Sequence, residues 1–325
     1  MDLVVRPLQK TLSEYSALAA IHLAAWGEIW LDGAARLLHD EKRNPDFLFE
    51  RLVAEVDRSI VGHATYGENA WNHQPGKYEL DIVVHPDWQR RGIGTELYHA
   101  MRTALAKRTL APTLLTSTTR EDQPGALALL RKAGFTQVMR SPMSRLAVQA
   151  VDPANAPGIA TRLEQAGITL HCMRELKAQD PEWKRHWYDL EMAINLDHPM
   201  PDHGEPLPYE TFAGYLETPL VNLDGAFFAL DRDGNYVGQS TLEVRTPGSD
   251  TISVGMTGVI RSHRRQGIAT ALKLRTIAYA QAEGIKWIQT SNEENNPMFH
   301  LNLLLGFQPA PAWLNFEKRM QHGKD

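Results

Sequence analysis

Two short stretches of this chain read almost alike. Gln89-Arg90-Arg91-Gly92-Ile93-Gly94 follows an apolar β-type run, Leu80-Asp81-Ile82-Val83-Val84, and leads into a helical stretch, Thr95–Lys107. His263-Arg264-Arg265-Gln266-Gly267-Ile268-Ala269 follows Gly255-Met256-Thr257-Gly258-Val259-Ile260 and leads into Thr270–Ala282. A strand, a basic glycine loop and a helix start together make an anion site. The first N–H groups of a helix lack partners, and glycine lets them approach a diphosphate closely. One such stretch also reads as a tight turn with solvated arginines. Two, in the same order, constrain the fold far more.

The repeat extends beyond the loops. Val4-Val5-Arg6-Pro7-Leu8 matches Cys172-Met173-Arg174-Glu175-Leu176, and Ala133-Gly134-Phe135 matches Leu305-Gly306-Phe307. The paired residues Arg6 and Arg174, Gly92 and Gly267, and Gly134 and Gly306 lie 168, 175 and 172 residues apart. An offset this long and this constant indicates two domains of one kind, not a short-repeat solenoid. The expected division is 1–150, a linker with a short helix over 151–167, and 168–325. Asp152-Pro153-Ala154-Asn155-Ala156-Pro157-Gly158 is rich in turn formers and marks the join.

Composition narrows the function classes. The net charge of -5, with no basic tail or stripe, argues against nucleic acid as a partner. The single cysteine, Cys172, excludes an intrachain disulfide and suggests the cytoplasm. No signal peptide is read at the N-terminus, and no apolar run is long enough to cross a bilayer.

In the first half, strands are expected at Leu3–Arg6, Arg51–Asp57, Ser59–Tyr66, Lys77–Val84 and Thr113–Thr118. Helices are expected at Ser13–Trp26, around Asp46–Glu55 and from Pro124 through Lys132, with helix and strand competing over Arg51–Glu55. Phe135–Met139 and Ser144–Val148 read as a terminal hairpin. In the second half, Ile159–Ala166, Trp183–Ile194 and Pro297–Leu305 read as helices. Ala226–Leu230 and Tyr236–Val244 flank the turn Asp231-Arg232-Asp233-Gly234-Asn235, and Trp287–Thr290 is a further strand.

At this point the residues resemble the GNAT acetyltransferase superfamily. Its signature is glutamine or arginine, two variable residues, glycine, any residue, then glycine or alanine, set between a strand and a helix. Gln89 through Gly94 and Arg264 through Ala269 match it. Gly134-Phe135 and Gly306-Phe307 match a later landmark. The layout is also distantly similar to that of the mycothiol synthases. The resemblance implies an α/β fold of α+β type: two tandem domains, each a mixed, mainly antiparallel sheet flanked by helices. It implies acetyl-CoA as co-substrate and no metal. Gln89, Arg90, Arg91, Gly92, Ile93, Gly94 and Thr95 would hold one pyrophosphate. Arg264, Arg265, Gln266, Gly267, Ile268, Ala269 and Thr270 would hold another. The pantetheine would run along Val83-Val84 and Val259-Ile260.

Members of the superfamily often carry an asparagine after the fifth strand and a tyrosine acid on the next helix. Those positions read Gln123 and Leu130 in the first half, and Asn295 and Asn302 in the second. Neither half has the tyrosine. The second half has more polar groups, so it is the expected catalyst, with Asn295 beside the cofactor and Asn302 in the acid's place. Glu243 is the expected base, with His263 behind it. In the first half Glu79 and Asp81 are the acids that share a face with Val83. Asp197-His198-Pro199-Met200-Pro201-Asp202-His203-Gly204-Glu205 reads as a substrate-side lid whose spacings fit no metal set.

The expected activity is acetyl transfer from acetyl-CoA to a primary amine, on a small molecule. The alternatives are a non-catalytic acyl-CoA-binding sensor and a protein or peptide N-acetyltransferase. A monomer or homodimer is expected, with no membrane partner.

Overall fold

The computed structural model describes residues 2–27, 31–154, 156–200, 204–244 and 248–320. The chain begins with β1 (Leu3–Pro7), α1 (Leu12–Trp26), α2 (Gly33–Glu41), β2 (Phe49–Val56), β3 (Ser59–Gly67) and β4 (Lys77–Val84). α3 (Ile93–Leu105), β5 (Leu114–Arg120), α4 (Pro124–Lys132) and β6 (Thr136–Ala147) follow. Next come α5 (Ile159–Ala166), β7 (Thr169–Cys172), α6 (Met173–Gln179), α7 (Trp183–Asn195) and α8 (Tyr209–Leu216). The chain continues with β8 (Ala226–Leu230), β9 (Tyr236–Leu242), β10 (Thr251–Val259), α9 (Ile268–Ala282), β11 (Trp287–Ser291), α10 (Pro297–Leu304) and β12 (Gln308–Arg319).

These elements form two compact units. One comprises Met1–Arg140, Pro201–Leu207 and Pro311–Asp325, the other Ser141–Met200 and Pro208–Ala310. The first unit's sheet runs β1-β2-β3-β4-β5-β12, and the second's runs β6-β11-β10-β9-β8-β7. In each, one pair is parallel, β4 with β5 and β10 with β11, and the other pairings are antiparallel. This is the mixed, mainly antiparallel architecture that was expected.

The units differ from a division at 151–167 because each takes its last strand from the other half of the sequence. Trp313–Arg319 of β12 pair with β5 in the first unit. Met143–Ala147 of β6 pair with β11 in the second. The expected hairpin over Phe135–Val148 is therefore one long strand. Pro142 lies just outside that ladder, where its missing N–H costs no pair.

Local chemistry explains the helices. Thr11 caps α1 by accepting from Glu14 N at 3.3 Å, and Gly27 closes it with φ 77°. Asp32 caps α2, its carboxylate 2.8 Å from Ala35 N. The second helix is thus Gly33–Glu41, not Asp46–Glu55. Residues 49–56 are a strand because β1 and β3 pair with it on both sides. The likeness of Cys172–Leu176 to a strand also fails: β7 ends at Cys172 and α6 begins at Met173.

In the first unit Leu97, Met101 and Leu105 of α3 pack on Ala64, Leu80 and Leu115, and β12 adds Leu314 and Phe316. α1 and α2 cover the opposite face, where Tyr15 and Leu18 meet Val53. In the second unit Leu274 and Ile277 of α9 pack on Leu146, Leu242 and Ile288. Ile159 and Leu163 of α5 join Ile268 and Leu272 beside Val259.

Candidate active site

The two basic loops have the same backbone. In the first, Gln89 Nε2 donates to Val84 O at 3.0 Å, Arg90 has φ 62° and Gly92 has φ 85°. In the second, Arg264 Nε donates to Val259 O at 2.9 Å, Arg265 has φ 65° and Gly267 has φ 85°. In each, the first motif residue ties the loop to its strand, and a glycine in the left-handed region turns it into the helix. Gly92 and Gly267 are the N-caps of α3 and α9, and no side chain caps either helix. Their first N–H groups are left for an anion. Thr95 and Thr270 lie in those first turns.

Beside each loop the sheet opens. β4 and β5 pair only over Lys77–Glu79 and Leu114–Thr116, after which they part. β10 and β11 pair only over Thr251–Ser253 and Trp287–Gln289. Each parallel pair thus forms a V whose mouth adjoins the glycine loop. Val83 and Val84, and likewise Val259 and Ile260, lie at the ends of the inner strands.

The second opening is the more elaborate. The β9–β10 register shifts by one residue between Val254 and Thr257, whereas β3–β4 runs without a shift. Gly255 and Met256 fall in that bulge, where Thr241 Oγ1 accepts from Met256 N at 2.9 Å. Val254–Gly258 stay partly exposed although β10 is a central strand. Arg162 of α5 lies over the loop: a Cβ added at Gly267 would stand 3.6 Å from its Nε, whereas one at Gly92 would meet nothing within 4 Å.

A model of the acetyltransferase (GNAT) family matches residues 15–135 and again 185–307. The chain belongs to that family. Among curated proteins, a mycothiol acetyltransferase of Parafrankia sp. is 29% identical over 154 residues, 46% of this chain and 42% of that one. A mycothiol acetyltransferase of Frankia casuarinae is 28% identical over 247 residues, 73% of this chain and 65% of that one. The matches thus span less than two thirds of the length of each of these two relatives. Of solved structures, a tandem GNAT protein from the clavulanic acid biosynthesis pathway covers 99% of this chain and 100% of its own, with TM-score 0.74 and 21% identity. A GCN5-related N-acetyltransferase from Sphaerobacter thermophilus gives TM-score 0.73 at 18% identity, covering 99% and 97%. The fold is that of a tandem GNAT acetyltransferase.

Within the second GNAT unit, Glu243 follows β9 on the side opposite Leu242, which is buried in the α9 core. A Cβ added at Gly255 would lie 3.9 Å from its Cγ, so the carboxylate stem runs beside the bulge. The residue is solvent-open, but protein packed around its carboxyl pushes the pKa above the usual carboxylate range. His263 lies elsewhere. Its Nδ1 is 2.9 Å from Ser262 Oγ and its Nε2 4.0 Å from Asp231, in the turn between β8 and β9. That turn and Glu243 are at opposite ends of β9, roughly 20 Å apart at the rise of a strand. Asn302 is fully buried on α10, its Nδ2 donating to Asn292 Oδ1 at 2.7 Å while its Oδ1 has no partner. Asn295 is exposed, and its Nδ2 donates to Glu293 Oε1 at 2.7 Å. Asn296 caps α10.

Sequence reading missed two side chains here and gave a third, Asp197, only as part of a lid. Glu191 is buried on α7, and burial pushes it up to about 6 although Gln239 Nε2 and Trp187 hydrogen-bond it. Lys273 is buried on α9 with its Nζ 5.6 Å from the Phe307 ring centroid, and burial pushes it down to about 8. Asp197 clasps both Arg261 and Arg264, which hold its carboxyl down at about 2. In the stretch expected as a lid, Asp197 thus meets two arginines of the loop, Glu205 lies 3.6 Å from His73, and Pro201, Asp202 and His203 fall outside the described residues.

The first GNAT unit has a polar face of its own. Asp81 is half-buried and is pushed up to about 6 by burial and by Glu79, against Arg51 and Arg36. His63 is buried with neither ring nitrogen hydrogen-bonded, and burial with Arg36 and Arg51 holds it well below its ordinary value. Leu130, in the place of the tyrosine, is part of the core. Among the described residues no group of three or more His, Cys, Asp or Glu side chains could hold a metal, and no helix is long and apolar enough to cross a membrane.

Proposed function

We propose that the second unit transfers acetyl from acetyl-CoA to a primary amine on a small molecule. The observation that carries this reading is the bulged opening of β10, which joins an uncapped helix N-terminus at Gly267 to a carboxylate of raised pKa at Glu243. Arg162 and the N–H groups after Gly267 would hold the diphosphate, with Arg265 and Gln266 in the same loop. Acetyl-CoA supplies an activated thioester. The chain's own groups do the rest.

Most alkyl amines arrive protonated near neutral pH. Glu243, directly or through one water, takes that proton as the nitrogen closes on the acetyl carbon. The N–C bond forms, the C–S bond breaks, and the thiolate leaves to be protonated from solvent or from a nearby acid. The first unit carries an equivalent anion loop, and its role is acetyl-CoA binding or a weaker second activity. The mycothiol acetyltransferase relatives support a small-molecule acceptor.

Glu243→Gln tests the reading. The expected result is a fall in kcat of at least about tenfold with acetyl-CoA affinity kept, the deficit shrinking as pH rises and free amine accumulates. A pH–rate profile that overlays the parent's would remove Glu243 from the mechanism.

A further inference from the structure

The first unit carries charges on the α1–α2 face of its sheet that acetyl transfer at Glu243 does not use. Most of them are committed to one another. Arg51 donates to Asp40 at 2.5 and 3.0 Å, and Tyr15 donates to the same carboxylate at 2.7 Å. Arg43 lies over the Phe49 ring, and Glu79 accepts from Asn69 at 3.2 Å. Two charges are left over. Arg36 is only 8% exposed; its Nε donates to Leu31 O at 2.9 Å, and among the described residues its terminal nitrogens meet no acceptor. Among the described residues no cation pairs with the Asp81 carboxylate either. Each of the two feels the other's charge, yet no ion pair joins them. A buried guanidinium and a buried carboxylate left apart destabilise a fold, so their presence calls for a reason outside stability.

Both border an opening in the face. Val53 packs against Tyr15 and Leu18 of α1, and its cross-strand partner on β3 is His63, which in turn pairs with Val83 of β4. Alternation puts Asp81 and Glu79 on that same face. β4 is a central strand, yet Glu79 is exposed and Asp81 half-buried, and Thr116 and Thr118 of β5 stay partly exposed beyond the point where the two strands part. The helices therefore leave the face uncovered where β4 and β5 diverge. On the far side Trp26 of α1 and Trp313 of β12 form an apolar wall, their ring centroids 5.2 Å apart. On the near side His63, 2% exposed and within the field of Arg36, keeps both ring nitrogens unpartnered.

The chemistry of this lining selects its ligand. A guanidinium fork suits a carboxylate, and a neutral imidazole can donate one more hydrogen bond to it. A carboxylate suits an ammonium group. A simple anion would leave Asp81 unmatched, and a simple cation would leave Arg36 unmatched. A zwitterion whose two charges are close together answers both, and the tryptophan wall favours an apolar substituent on it.

We propose that this opening is a binding site for an apolar α-amino acid, with its carboxylate on Arg36 and its ammonium group on Asp81. Nothing in it depends on the transfer chemistry at Glu243.

The experiment is calorimetric titration of the full chain with L-leucine, with isopentylamine, which lacks the carboxylate, and with isocaproate, which lacks the amine. L-Leucine is expected to bind at least about tenfold more tightly than either. Arg36→Met should remove its advantage over isopentylamine and leave the affinity for isopentylamine unchanged. Asp81→Asn should remove its advantage over isocaproate and leave the affinity for isocaproate unchanged; being nearly isosteric, it decides the matter if Arg36→Met fails to fold. Glu243→Gln should leave both advantages in place. L-Leucine binding no more tightly than the two partial ligands overturns the site, as does an advantage kept in a folded Asp81→Asn protein. A loss in either variant that falls equally on all three ligands also overturns it, because that marks a supporting side chain and not charge recognition.

Discussion

Glu191 makes a quantitative stability test possible. Its pKa lies near 6 in the folded chain against an ordinary 4.5, because burial disfavours the charged form. The native state therefore holds the proton to higher pH than the unfolded state does. Below pH 4.5 the side chain is neutral in both and costs nothing. As pH rises through 6 the folded state must ionise it, and a penalty of about 2 kcal/mol accumulates. Replacing Glu191 with Gln removes the charge, and the new amide can donate to the unpaired Gln239 oxygen. Thermal unfolding of Glu191→Gln should then show Tm raised by roughly 4–8 °C near neutral pH, for a unit of this size, and little change in acid. A variant less stable than the parent at neutral pH would refute the reasoning: Glu191 would then be structural, with its charge already compensated.

Other consequences follow from the loops and the first unit. Gly267→Glu puts a bulky acid at φ 85° beside the helix N-terminus, so calorimetry should show one equivalent of acetyl-CoA lost, with the Gly92 loop still binding. Arg162→Ala should weaken the second site alone, by about tenfold. Asp197→Asn frees Arg261 and Arg264 for a diphosphate and should tighten acetyl-CoA binding by about twofold to fivefold, an effect that fades with added salt. His22, pushed down to about 3, and His63 are both neutral when buried, so the first unit loses stability as pH falls through the ordinary histidine value of 6.5. Glu191 gives the second unit the opposite sign. Hydrogen exchange should show α1–β3 peptides losing protection on acidification while α7–β9 peptides keep theirs.

What the sequence disclosed and what it hid have physical causes. The loops were legible because each needs a glycine at positive φ, flanked by a residue that reaches back to its strand, and those demands leave a local pattern. The turn at Asp231–Asn235 was legible for the same reason, since it acts through neighbours a few residues away. The exchange of β6 and β12 was hidden, because nothing in Thr136–Ala147 records which strand edge it will join. Residues 49–56 carried mixed local preference, and sheet partners on both sides decided it. Glu191 could have been found: it sits four residues after Trp187 on the apolar stripe of α7, and an acid there is out of place. Asp197 was read as part of a lid, but its meeting with Arg261 and Arg264 was hidden, since it depends on how the chain returns after α7.

The exchanged strands bear on how the chain comes off the ribosome. The first five strands emerge early, but the strand that covers the outer edge of β5 follows it by some two hundred residues. Until then β5 presents unpaired N–H and C=O groups, the kind of edge that recruits a neighbouring chain. Completion of the first sheet thus waits on a contact some two hundred residues distant, which favours slow folding and dependence on chaperones. Cutting the chain at the apparent linker would not release two autonomous halves; it would leave each with an open border and a stray ribbon belonging to the other.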